Sequence, residues 1–330
     1  MDECRFQFQG FIKTMSAKDL SILIPARNEE FLKRTIEDIL EHAEMDTEIL
    51  VGLDGAWSDP AIPQHPKVNV IYVPESIGQR AMTNQLCRLS KAKYVMKADA
   101  HVSFKQGFDR EMIKAFEEVG ENVVIAPTMR NLWAYDWKCY KDGTRIYQDK
   151  GDVCPQCGGK MKKKMLWIAK EKPQSNSFCF DSEPHFQYFN EWKGRHDGEI
   201  VETMSLQGSC FMLTREKYWE LNICDEEFGS WGSQGIEVAC KFWLSGGRVL
   251  VNKRTYYAHM FRTKSGVFGF PYPQSGKQVD GAKKMAKDLF FNNKWDKQVR
   301  SLSWLVEKFD PPEKFWSKED RQRLKENSVA

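Results

Sequence analysis

Nothing in this chain approaches the ~20 consecutive apolar residues of a membrane helix, and no apolar signal core follows Met1. A cytosolic protein without a membrane span or anchor is therefore expected. Gly-x-Gly-x-x-Gly and the Walker phosphate loop are also missing, which argues against a dinucleotide oxidoreductase or an ATPase. Charge is nearly balanced, 49 Lys and Arg against 46 Asp and Glu, so there is no global pull on polyanions. The basic residues do gather locally, at Lys160, Lys162, Lys163, Lys164, Lys170 and Lys172 and again at Lys277, Lys283, Lys284 and Lys287. The nine cysteines are an odd number without a secretory signal, which points to thiols or metal ligands in a reducing compartment.

What is present is an ordinary globular composition: 330 residues, 41% hydrophobic and 29% charged, enough for one large α/β domain or two smaller ones. Leu20 to Pro25 reads as a buried strand ending in Ala26-Arg27-Asn28-Glu29-Glu30. A helix follows with Phe31, Ile36, Ile39 and Leu40 on one face. Glu48 to Leu53 is a second strand ending at Asp54, and Val68 to Val73 a third. A helix from Gly78 to Ser90, with Met82, Leu86 and Leu89 inward, leads to the strand Tyr94-Val95-Met96. Strands alternating with helices predict a doubly wound parallel sheet, whose ligands bind beyond the carboxyl ends of the strands. Asn28, Asp54 and Asp99 all fall at such ends. Asp99 and His101, two apart at a strand exit, can aim an oxygen and an imidazole nitrogen at one divalent ion, which would neutralise a diphosphate.

After the strand Asn122 to Pro127 the composition shifts to Lys, Gly, aromatics and cysteine. Cys154-Pro155-Gln156-Cys157-Gly158-Gly159 has the form of a zinc knuckle, two thiolates around a tight turn that glycine permits. Cys139-Tyr140-Lys141-Asp142-Gly143 has the same outline with Asp142 in the second ligand position. A zinc ribbon held by Cys139, Cys154, Cys157 and Asp142 is expected, with Cys179 or His185 as alternatives to Asp142. Cys4, Cys87, Cys210, Cys224 and Cys240 stand singly among apolar residues and read as core.

Further on, Glu202 to Leu213 reads as a loop entering a strand. Trp231-Gly232-Ser233-Gln234-Gly235-Ile236-Glu237 opens a helix that stops at Gly246-Gly247, and Tyr257-Ala258-His259-Met260-Phe261-Arg262 closes the block. Together, Ile-Pro-Ala-Arg-Asn-Glu, Leu-Asp-Gly, Asp-Ala-His, Trp-Gly and His-x-Phe-Arg resemble the GT-A glycosyltransferases of the family 2 superfamily. Asp-x-His and His-x-Phe-Arg are similar to the polypeptide GalNAc-transferases in particular. The resemblance covers roughly residues 20–295 apart from 133–198. It implies an α/β GT-A fold (Rossmann-like, nucleotide-diphospho-sugar transferase), into which the zinc ribbon is inserted; the lectin domain of the GalNAc-transferases is not expected here.

The resemblance also implies a nucleotide-sugar donor, in all expectation UDP-linked, held by Pro25, Ala26, Arg27, Asn28, Glu29, Asp54, Arg80, Lys97, Ala98 and Asp99. Asp99, His101 and His259 become ligands of Mn²⁺ or Mg²⁺. Arg262 would lie over the diphosphate, and Trp231 would line the sugar pocket, with Gln234 and Glu237 beside the reacting centre. Inverting relatives carry an acidic pair where Gln234-Gly235 stand here, and neither can take a proton. Retention of configuration is therefore expected, with Glu237, Asp225 or Glu227 as the alternative base.

The expected segments are 1–19, an N-terminal extension with Phe6, Phe8 and Phe11 packing on the body; 20–132, the nucleotide half; 133–198, the ribbon; 199–295, the acceptor half; and 296–330, a surface helix or tail. The chain also looks like bacteriophage GT-A proteins that decorate modified DNA bases. With its basic, aromatic ribbon this makes DNA the expected acceptor, ahead of protein, polysaccharide or lipid. The alternative of another class is a non-catalytic zinc-ribbon protein that binds nucleic acid.

Overall fold

The computed structural model describes residues 18–148, 151–195, 197–262, 268–270 and 276–329. The expected packing of Phe6, Phe8 and Phe11 lies outside the described residues. The nucleotide half runs β1 (Leu20–Ala26), α1 (Leu32–His42), β2 (Thr47–Asp54), β3 (Val68–Val73), α2 (Gln79–Leu89) and β4 (Tyr94–Ala98). β4, β1, β2 and β3 lie side by side and parallel, with Leu20 opposite both Thr47 and Tyr94. Period-two alternation divides β1 between two cores. Leu23 packs with Leu50, Leu86 and Phe211 on one face of the sheet. Ile22 and Ile24 pack with Ile36, Ile49 and Phe116 on the other. Gly52 marks the closest approach of helix to sheet, because a Cβ there would lie 2.3 Å from Met82 Sδ. α2 turns Met82 and Leu86 inward as expected, but Leu89 is half exposed.

Beyond β4 come β5 (Val102–Phe104), α3 (Phe108–Val119) and the long β6 (Val123–Cys139). The ribbon follows as β7 (Arg145–Tyr147) and β8 (Met161–Ser175), then the hairpin β9 (Phe178–Phe180) and β10 (Phe186–Tyr188), and β11 (Ile200–Glu202). The chain continues through β12 (Cys210–Thr214), α4 (Arg215–Glu220), α5 (Gln234–Leu244) and β13 (Arg248–His259). It ends in α6 (Gly276–Ala286), α7 (Leu302–Phe309) and α8 (Lys318–Val329). The main sheet has the order β11-β13-β6-β12-β4-β1-β2-β3, so the doubly wound parallel arrangement holds for the nucleotide half only. β12 enters antiparallel to β4, which makes the whole sheet mixed.

β6 belongs to two structures. Its first residues pair with β13 and β12 in the sheet, and the remainder leaves it to pair with β8 and β7 as the ribbon. The expected boundary at 132/133 thus falls inside one strand. The C-terminal segment also departs from expectation. Leu302, Leu305, Val306, Phe309 and Trp316 are buried in the same core as Trp243, so α7 is part of the body rather than a surface tail. The fifteen charged residues between 296 and 330 hid that apolar stripe from a reading by composition.

Candidate active site

The carboxyl ends of β1, β2 and β4 and the loops before β12 and α5 surround one cleft of about 880 Å³. Its floor is made by strand pairing. β5 runs antiparallel to β13 with Val102 opposite His259, which sets the His259 ring beside His101, 4.9 Å between centroids. Asp99 leaves β4 with its N–H bonded to Ser209 O. The ligand atoms of Asp99, His101 and His259 consequently lie within 4.8 Å of one another. His259 Nε2 is 3.2 Å from Asp99 Oδ2, and His101 Nε2 is 3.9 Å from the same oxygen.

The surroundings bias these groups toward metal binding. Burial resists ionisation of Asp99, but the Lys97 ammonium against it and the two imidazoles outweigh that and hold its carboxyl well below the usual range. Lys97 is itself 1% exposed and also donates to Gly208 O. Burial pushes His259 down to about 4, so at neutral pH its ring nitrogen carries a free lone pair. His101 Nδ1 faces Glu29 Oε2 at 3.3 Å, which leaves Nε2 toward Asp99. The Glu29 carboxylate is gripped in turn by Arg262. An outer carboxylate of this kind fixes ring orientation in metal-binding histidines. Arg262 also donates to Gly269 O and stacks on Phe268 and Phe270.

The other expected residues divide into two groups. Pro25, Ala26, Arg27, Glu29, Asp54, Lys97, Asp99, Trp231, Gln234 and Arg262 line the cleft. Asn28, Arg80, Ala98 and Glu237 do not. Asn28 takes the left-handed turn after β1 at φ +53°, and Ala98 is buried in β4. Arg80 and Glu237, expected at the donor and the reacting centre, are buried against each other. Arg80 Nε is 2.9 Å from Glu237 Oε2, and Glu237 also accepts from Lys241 Nζ and Asp225 N. A fully buried carboxylate with three donors is no acceptor-side base, so Glu237 is corrected to a structural role. Arg80 donates to Gly229 O and Gly232 O, which flank Trp231, and so supports the pocket wall from behind. Asp54 is likewise committed, since its carboxylate accepts from Ser76 Oγ, Ile77 N and Gly78 N and folds that loop into the wall.

At the start of α5, Gln234 donates to Cys224 Sγ at 3.3 Å. A Cβ on Gly235 would sit 2.0 Å from Leu206 O, so no acid fits there without moving the 206–208 loop. Sequence reasoning missed His185 as a cleft residue and placed it among the alternatives for zinc. The β9–β10 hairpin instead brings it to the cleft wall, with Nδ1 3.1 Å from Asp181 Oδ1. Asp181 is pinned by Glu183 N, His185 N and Gln187 Nε2. Its four-residue separation from His185 is the only local signal. Ser76, Ile77 and Gln207 were also missed, and they are visible only once the loops close.

The glycosyl transferase family 2 model matches residues 21–221, from β1 through α4. The chain belongs to glycosyl transferase family 2. Among curated relatives, a putative polypeptide N-acetylgalactosaminyltransferase 13 of Drosophila melanogaster is 21% identical over 307 residues, 88% of this chain and 48% of that protein. Human polypeptide N-acetylgalactosaminyltransferase 3 is 29% identical over 93 residues, 28% of this chain and 14% of that protein. The chain thus spans about half or less of the length of these relatives. Among solved structures, GalNAc-T7 with UDP, GalNAc and Mn²⁺ aligns with a TM-score of 0.58 at 14% identity, over 93% of this chain and 57% of that one. S. aureus TarS aligns at 0.52 and 10% identity, over 92% of this chain and 44% of its own. At such identities the likeness is one of fold, and the mixed sheet with its cleft fits the GT-A architecture. No helix among the described residues is long and apolar enough to cross a membrane.

Proposed function

We propose that this family 2 chain is a metal-dependent glycosyltransferase that moves a sugar from a UDP-linked donor to a hydroxyl. The observation that carries the reading is the convergence of Asp99, His101 and His259 on the floor of a cleft large enough for a nucleotide sugar. One carboxylate with two imidazoles suits Mn²⁺ better than Mg²⁺. Such an ion, when bound, neutralises a diphosphate and stabilises the charge on the departing phosphate. The chain's own residues do the rest. Glu29 orients His101, Lys97 keeps Asp99 ionised, Arg262 adds positive charge at the cleft, and Trp231 offers an apolar face to the sugar.

We further propose retention of configuration. Gln234 cannot take a proton, Gly235 leaves no space for an acid, Glu237 is sequestered, and Asp225 and Glu227, the other expected alternatives, do not line the cleft. Front-side attack, with the departing phosphate oxygen taking the hydroxyl proton, then remains. The Asp181–His185 pair favours a second reading, in which the hydroxyl proton goes to His185 Nε2 and configuration inverts. For the acceptor we propose a hydroxyl on a modified DNA base, because the ribbon carries exposed Lys160, Lys162, Lys164, Lys170 and Lys172 among exposed Tyr140 and Tyr147. The names of the relatives favour a protein hydroxyl instead.

The test is donor turnover by the purified chain over a panel of nucleotide sugars, with hydroxymethylated DNA, peptide and water as acceptors. Turnover dependent on Mn²⁺ is expected. In Asp99→Asn, which leaves Lys97 a hydrogen-bond acceptor, it falls by ~100-fold or more. Full activity of that variant, or of wild type in EDTA, overturns the metal reading. The anomeric proton coupling of the product separates retention from inversion.

A further inference from the structure

The ribbon beyond the sheet has almost no core of its own. Among the described residues, the hydrophobic cluster at its distal end is Cys139, Cys154 and Met161, with Trp137, Ile146 and Cys157 packed partly against them. A cluster this small does not hold a fold without a staple. Yet the chain doubles back twice at this end in two similar turns. In the first, Gly143 N bonds Cys139 O at 3.1 Å with Gly143 at φ +79°. In the second, Gly158 N bonds Cys154 O at 2.9 Å with Gly158 at φ +66°.

Each turn presents the side chains of its first and fourth residues to the other. Cys139 Sγ lies 3.6 Å from Cys157 Sγ, and Cys154 Sγ lies 3.3 Å from Asp142 Oδ2. All four ligand atoms fall within 4.8 Å of one another. Asp142 is itself aimed by Thr144, whose N–H donates to Oδ1 at 2.9 Å. The alternatives considered for the fourth position lie elsewhere: Cys179 is buried in β9, and His185 faces Asp181 at the cleft.

We propose that Cys139, Asp142, Cys154 and Cys157 bind one structural Zn²⁺, and that this Cys₃Asp clip holds the ribbon against the loop that carries Glu29. Three thiolates and one carboxylate form a closed tetrahedral donor set of the kind zinc takes. Cys139 ends β6 and Met161 begins β8, opposite each other, so the clip sits where the two strands are joined. Pairing from that point sets Tyr135 and Trp167 against Phe31, 6.1 and 5.8 Å between ring centroids. Trp167 Nε1 donates to Asp38 of α1, and Lys163 pairs with Glu30. Phe31 and Glu30 adjoin Glu29, which orients His101. The ribbon therefore braces the approach to the cleft, and zinc loss loosens that loop as well as the ribbon.

The experiment uses the full chain and reads metal, not sugar transfer. Purified from zinc-supplemented medium, the protein is expected to carry about one zinc per chain that survives dialysis. Replacement by Co²⁺ should give intense near-ultraviolet thiolate-to-cobalt charge transfer, a band that the donor-site His and Asp cannot produce. Asp142→Cys should keep that band and strengthen it, whereas Cys154→Ser/Cys157→Ser should lose the band and the zinc. Should the double variant fail to fold, Asp142→Ala supplies the reading, with zinc affinity reduced about 10-fold or more. Wild type that takes up neither zinc nor Co²⁺ at the thiols, or that joins Cys139 to Cys157 as a disulfide instead, overturns the proposal.

Discussion

Arg80→Met separates two roles for Arg80. As a donor ligand, the residue could be replaced at little cost in stability but with loss of UDP affinity. The structure gives it a different task. Its side chain is 1% exposed and Glu237 is fully buried, so the variant leaves a buried carboxylate short of a partner. Breaking such a pair typically costs ~3–5 kcal/mol. Here Glu237 keeps Lys241 Nζ at 3.0 Å and Asp225 N at 2.9 Å, which favours the lower end. The carbonyls of Gly229 and Gly232 lose their donor as well. With an unfolding entropy of ~2.1 cal/mol/K per residue over 330 residues, a loss of about 3 kcal/mol lowers Tm by about 4 °C. Circular dichroism melts and urea titrations measure this directly. Adding Glu237→Gln should restore part of the loss, because the uncompensated charge disappears. An Arg80→Met protein within ~0.5 kcal/mol of wild type would refute the reasoning and return Arg80 to the donor site.

Phe309→Ala should cost ~3–5 kcal/mol in urea unfolding, since Phe309 is fully buried against Trp192 and Trp243; a negligible change contradicts an integral α7. Gly235→Asp should destabilise the chain and not create a base, because the new Cβ meets Leu206 O; a stable variant with inverted product disproves this. His42 has a pKa raised above 6.5, first by its hydrogen bond to Asp38 and against burial. A raised pKa means that its stabilisation is complete below about 6.5 and fades as pH climbs through the folded value. The stability gap between wild type and His42→Gln should accordingly be wider near pH 5 than near pH 8.5, and a gap independent of pH removes the ion pair from the account.

The local chemistry of this protein was legible in its sequence, because it resides in short stretches whose neighbours are fixed by the chain. Strand alternation and the exits at Asn28, Asp54 and Asp99 depend on residues within a few positions. So do the spacing of Asp99 and His101, the two glycine-closed turns of the ribbon, and the absence of an acid at 234 and 235. What the sequence could not decide was which partners distant residues would meet. The register of β5 on β13 brings His259 to His101 across more than 150 positions. Arg80 and Glu237, both suited by residue type to a site, neutralise each other at a separation of 157 residues and are lost to the cleft. His185 enters the wall only because the β9–β10 hairpin closes on Asp181. Phe309 and Trp316 reach the core only because α5 presents Trp243 to them. In each case the deciding energy is burial or charge pairing between segments far apart in sequence, which no local pattern encodes.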